Sequence, residues 1–193
     1  MSNEKAVSSD TVGAELEKLF GAGDAASASG VYTVECRDKD GNLKWEAEIP
    51  NLVVNAGLRD MNTKYFTGSA YTAAWYIGLY GPAATNDPAA TDTMSSHPGW
   101  TEVTPYSNAT RVAAVFGTPS LANPSVISNS GSVAVFNINA TATVGGAFLT
   151  SSNTKGGTGG TLFSASDFQA PGDRVVSTGD TLNVTYTFTL TAV

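Results

Sequence analysis

The chain has 193 residues, 17 acidic against 10 basic side chains and a net charge of −7, with only 14% of residues charged. That length allows one sizeable core, and the acidic balance repels phosphate, which argues against nucleic acid or an anionic membrane as partner. Solvation of the surface therefore falls to Gly, Ser, Thr and Asn, a composition common in β-sandwiches and in proteins of assemblies.

The opening residues, MSNEKAVSSDTVGAELEKLF, lack the charged-then-apolar pattern of a secretory leader, and no apolar run approaches the roughly 20 residues of a membrane-spanning helix. The expectation is a product made in the cytoplasm. Within residues 10–20, Val12, Leu16, Leu19 and Phe20 recur at i, i+4, i+7 and i+8, behind a Ser-Ser-Asp-Thr run suited to capping and ahead of Gly21. This predicts a short amphipathic helix whose apolar stripe needs a surface to bind, either a partner or the chain's own domain. The small residues from Gly21 to Gly30 read as a flexible linker, so residues 1–29 form an arm and residues 30–193 a domain.

From Val31 the period becomes two. Tyr32, Val34 and Cys36 share one face, Asp40-Gly41 supplies a turn, and Leu43, Trp45, Ala47 and Ile49 share a face on the return, which predicts a β-hairpin. Leu58, Met61 and Tyr65 then sit at helical spacing ahead of Gly68, predicting one short helix packed on the sheet. Trp75 to Tyr80 is apolar on both sides and reads as a buried strand. In residues 81–108, Gly81-Pro82, Asn86-Asp87-Pro88 and His97-Pro98-Gly99 interrupt regular structure. A long excursion follows, stabilised by Trp100 and Tyr106, and these two aromatics are also its candidate partner contacts.

Strand patterns return at Arg111–Phe116, Val133–Ile138, Thr141–Thr150 and Thr161–Phe163. The strongest is Thr181–Thr191, where Leu182, Val184, Tyr186, Phe188 and Leu190 alternate with Asn183 and three threonines over about 36 Å of extended chain. Turn signals every ten or so residues with two short helices predict an all-β sandwich or jelly roll.

Sites for chemistry are sparse. Cys36 is the single cysteine and sits in an alternating pattern as a small hydrophobe. His97 is the single histidine, without the partners that zinc or a catalytic triad requires, so neither metal, cofactor nor catalytic residues are expected. Asp38-x-Asp40-Gly41-Asn42 lacks the closing glutamate of a calcium loop and fits the hairpin turn. No spacing among Asp92, Glu102, Asp167, Asp173 and Asp180 predicts a glycosidase pair. Lys155-Gly-Gly-Thr-Gly-Gly-Thr161 has the wrong order for a phosphate loop and reads as a mobile hairpin connection. Trp75, Tyr76 and Tyr80, a conceivable sugar platform, sit at strand spacing and read as core. The Asn-x-Thr triplets at Asn108, Asn139 and Asn183 read as strand and turn composition.

Several ordered segments carry a resemblance: residues 30–46 (GVYTVECRDKDGNLKWE), Asn51-Leu-Val-Val-Asn, Gly68-Ser-Ala-Tyr-Thr, residues 92–102 (DTMSSHPGWTE), Tyr106-Ser-Asn-Ala-Thr-Arg and Gly179-Asp-Thr-Leu-Asn-Val-Thr-Tyr. Over about residues 30–193 the chain resembles small virion structural proteins encoded in the morphogenesis clusters of tailed phages. The resemblance implies a non-enzymatic particle component, a homo-oligomer that contacts the major capsid protein or other virion proteins. Two placements stay open: a capsid decoration or head-fibre protein, and a tail or adhesin module whose excursion contacts a host glycan.

Overall fold

Strict alternation along two long segments builds the framework of the protein. The computed structural model describes residues 26–68, 71–82, 88–168 and 172–192. β1 (Ala26–Arg37) and β13 (Thr181–Ala192) pair antiparallel over their whole length, from Ala26 opposite Ala192 to Arg37 opposite Thr181. β1 begins inside the stretch that composition assigns to the linker. Its Ala, Ser and Gly residues contribute backbone to a ladder that needs no large side chains.

The hairpin to β2 (Leu43–Pro50) turns as expected at Gly41, whose φ of 85° suits glycine. Asp38 Oδ1 accepts from the Asp40 and Asn42 amides at 2.9 Å each, so the acidic cluster closes the turn. β7 (Ser125–Ser128) and β8 (Ala134–Asn137) both pair with β13 and complete the first sheet, in the order β2-β1-β13-β7.

The second sheet has the order β3-β11-β10-β4-β5, with β6 also on β4. Its strands are β3 (Leu52–Val53), β4 (Tyr76–Tyr80), β5 (Glu102–Val103), β6 (Val112–Ala113), β10 (Gly146–Thr150) and β11 (Leu162–Asp167). A separate ribbon joins β9 (Ala142–Val144) to β12 (Arg174–Val176). The two sheets enclose a core that includes Tyr32, Val34, Cys36, Leu182, Val184 and Tyr186 from the first and Ile77, Leu79, Ala147 and Leu149 from the second, so the fold is an all-β sandwich.

Departures from expectation follow packing. Arg111–Phe116 supplies only the two-residue β6, and Thr141–Thr150 divides at Gly145 into β9 and β10, whereas β11 runs on to Asp167. β7 and β12 are too short to show alternation in the sequence. The helix α1 (Asn55–Phe66) forms where predicted, but Leu58 is 41% and Tyr65 82% exposed. Its buried residue is Gly57, against the Phe163 backbone, while Met61 packs on the core.

Candidate functional site

The second sheet is buried on both faces. Its inner face meets the first sheet, and its outer face supports a second cluster of Val54, Tyr80, Met94, Trp100, Phe148 and Leu162. Met94 and Trp100 come from the excursion, whose described residues 88–100 lie over that face as a cover. Apolar residues on both sides of β4 and β10 have this cause.

Trp100 is 3% and Tyr106 1% exposed, so both side chains, the candidate partner contacts of the excursion, are anchors within the fold. The Trp100 ring meets Tyr80 and Phe148 at centroid distances of 4.9 and 5.2 Å, and its Nε1 donates to Asp92 Oδ2 at 2.9 Å. His97 stacks on Trp100 at 3.9 Å, with Nδ1 2.9 Å from the Trp100 carbonyl. The lone histidine therefore closes a turn.

Beside it lies a buried ion pair. Arg111 donates from Nε to Glu102 Oε1 at 3.0 Å and from Nη2 to Oε2 at 2.7 Å, a two-pronged contact between side chains 0% and 7% exposed. The remaining donors of Arg111 reach the carbonyls of Ser152 and Gly157, and the Gly156 amide donates to Glu102 Oε2 at 2.8 Å. Lys155 donates to the carbonyls of Tyr106 and Asn108 and lies 4.3 Å from the Tyr106 ring centroid. The glycine-rich connection read as mobile is thus pinned, because a buried arginine and carboxylate consume its backbone groups.

The other singled-out groups are also committed to structure. Asp180 accepts from Lys44 and, at 2.7 Å, from the Ser177 amide. Cys36 lies 3.9 Å from Asp180 Oδ2, and burial first, then this carboxylate, pushes its thiol up to about 11. Asn183 Nδ2 donates to Glu35, and Asn108 bonds the β8 backbone through Val135 and Asn137. Tyr80 is fully buried, as a core reading requires, whereas Trp75 and Tyr76 are half-buried, with Trp75 packed at the edge of the core. Among the described residues no group of three His, Cys, Asp or Glu side chains is placed to hold a metal ion. Val12, Leu16, Leu19 and Phe20 lie outside the described residues.

A strongly apolar concave site lies at the end of the sandwich where β1 begins. A cavity of about 300 Å³ is lined by Met61, Trp75, Phe116, Ile127, Phe163 and Phe188, with Tyr186 at its wall and Lys64 and Asp60 at its rim. Phe188 meets Phe163 of the second sheet edge-on at 5.4 Å. Two residues further along the same face, Leu190 is 37% exposed, although alternation predicts it inside. The first sheet outruns the second here, because β1 and β13 have 12 residues each while β4 and β10 have five. Periodicity identifies the face of a strand; the length of the sheet opposite it was not legible.

The Tyr186 hydroxyl lies within hydrogen-bond distance of Asn51 Nδ2, which donates at 2.9 Å, and of Ser164 Oγ at 3.5 Å; Tyr32 OH is 2.8 Å from the same Ser164 oxygen. These hydroxyls tie the sheets together rather than face a ligand. Compared with family models, with curated proteins and with solved structures, the chain finds no match.

Proposed function

We propose that this protein is a non-enzymatic structural component of a tailed-phage particle, a capsid decoration or head-fibre protein made in the host cytoplasm and mounted on the shell in several copies. The observation that carries this reading is the use of its charged interior. Glu102, Asp92 and Asp180 each spend their oxygens on arginine, indole, lysine or amide donors that fix loops. Pre-organised chemistry needs carboxylates free to meet a substrate; here they make a rigid end on an uncharged, hydroxyl-rich sandwich. The segmental resemblance over residues 30–193 supplies the particle, and symmetry of the shell supplies the repeated copies.

The tail or adhesin reading draws less support. It calls on the 81–108 excursion and aromatic residues to contact a glycan, and the excursion's large aromatics Trp100 and Tyr106 are buried. Mixing purified protein with capsids that lack it, then sedimenting the shells, tests the proposal: saturable binding in fixed ratio to the shell subunit is expected. Binding to host cells with none to capsids would favour the adhesin instead.

A further inference from the structure

The open mouth and the N-terminal stripe fit one another. On the first sheet the inward face continues past Phe188 through Leu190 and Ala192 of β13 and through Ala28 and Ala26 of β1, forming an apolar shelf. Leu190 and Ala192 are exposed, as is Ala26, and the shelf runs directly into the cavity between Phe188, Ile127 and Met61. Across the opening, Tyr71 and Met61 line the same cavity, and Tyr71 is 46% exposed. Apolar surface on both rims of one concavity marks a place that a further element covers.

The chain itself brings such an element to this end. Ala26 is the outermost residue of the shelf, and 25 residues precede it. Five residues separate Phe20 from Ala26, six Cα steps that span at most about 22 Å. From Ala26 to Gly30, level with Phe188, is four strand steps, about 13 Å. A stripe of Val12, Leu16, Leu19 and Phe20 therefore reaches the cavity of its own chain with length to spare. The short tether keeps it at an effective concentration in the millimolar range, above that of a neighbour's arm in dilute solution.

We infer that the segment bearing this stripe, residues 10–20, occupies this mouth of its own sandwich and covers Leu190, Phe188 and Met61. The inference stands apart from the phage assignment, since it uses only the shelf, the cavity and the tether. It also selects the acceptor surface that periodicity alone left open.

Trypsin reads the docking directly, because the Lys18–Leu19 bond lies within the stripe. In the full-length protein at low micromolar concentration, cleavage after Lys18 is expected to be slower by about tenfold or more than in Leu190→Asp or Leu16→Asp variants, since cutting follows the undocked population. Leu190 is partly exposed and Leu16 precedes β1 in the sequence, so at least one variant retains the fold, checked by its dichroism. Equal cleavage rates in wild type and folded variants would overturn the inference. The double variant Leu19→Cys, Leu190→Cys identifies the owner of the arm: oxidation to a monomer with an internal disulfide is expected. Disulfide-linked dimers, or protection that appears only as concentration rises, would assign the mouth to a second copy and overturn docking within one chain.

Discussion

Arg111 and Glu102 face each other inside the protein through two parallel N–H···O bonds of 3.0 and 2.7 Å, nine residues apart in sequence. Between them they also hold the backbone of Ser152, Gly156 and Gly157. The pair therefore welds the end of the excursion, the short β6 and the glycine-rich connection into one body. Removing one partner leaves a buried charge with nothing to compensate it.

Arg111→Met is accordingly expected to destabilise the protein by about 3–5 kcal/mol, as lost stability in urea titration. The double variant Arg111→Met, Glu102→Leu should recover much of that loss, because no uncompensated charge remains. Arg111→Lys should resemble the single variant, since an ammonium lacks the planar fork that meets both carboxylate oxygens and two carbonyls. Wild-type stability in Arg111→Met would show the node to be dispensable.

On β13 the cost of truncation should fall along the strand. Leu182 is fully buried, so Leu182→Ala should cost about 2–5 kcal/mol, whereas Leu190→Ala at the overhanging end should cost about 1 kcal/mol or less. Urea midpoints of the two variants check this. Similar losses would mean that the second sheet covers more of β13 than its five- and six-residue strands reach.

Legibility in the sequence followed the same line. Alternation in Tyr32, Val34 and Cys36 and in Leu182, Val184 and Tyr186 reports a local geometry, and both strands and the Asp40-Gly41 hairpin form as read. The overhang at Leu190 depends on strand lengths in a sheet built from residues 52–167, which no local period records. Trp100 and Tyr106 stand out by their size within an irregular stretch, but the burial of Trp100 follows from a sheet that is apolar on both faces and needs a cover, and Tyr106 packs into the main core against Phe136. Residues 75–80 carried that signal. The Glu102–Arg111 pair carried none, being two ordinary charges at no diagnostic spacing.

Gly57 offers a test in which propensity and packing oppose each other. Alanine is the better helix former by about 1 kcal/mol. A Cβ on Gly57, however, would lie 2.4 Å from the Phe163 carbonyl oxygen, backbone of the strand on which α1 rests. Gly57→Ala is expected to lower the melting temperature, as read by calorimetry; a rise would show that α1 shifts freely on the sheet.

Alkaline pH should weaken the fold. Burial, the largest cause in each case, raises the phenols of Tyr32, Tyr106 and Tyr186 above their ordinary value and the Cys36 thiol to about 11. Unfolded phenols and thiols lose their protons first, near pH 10 and 8.5, so the unfolded chain binds fewer protons than the native one above about pH 9 and stability falls as pH rises. Below that range all four are neutral in both states and contribute no slope. Urea midpoints should be flat with respect to these groups from pH 7 to 8 and decline from pH 9 to 11. A midpoint that holds through pH 11 would contradict the burial of these hydroxyls between the sheets.

The proposed place of the protein on a particle is tested most directly by quantitative mass analysis of tailed-phage virions purified from cells in which the gene is expressed. The account predicts the full-length chain in every particle, in a fixed, symmetry-related ratio to the major capsid protein. Its absence from purified particles, with the protein abundant in the infected-cell lysate, would contradict a structural role.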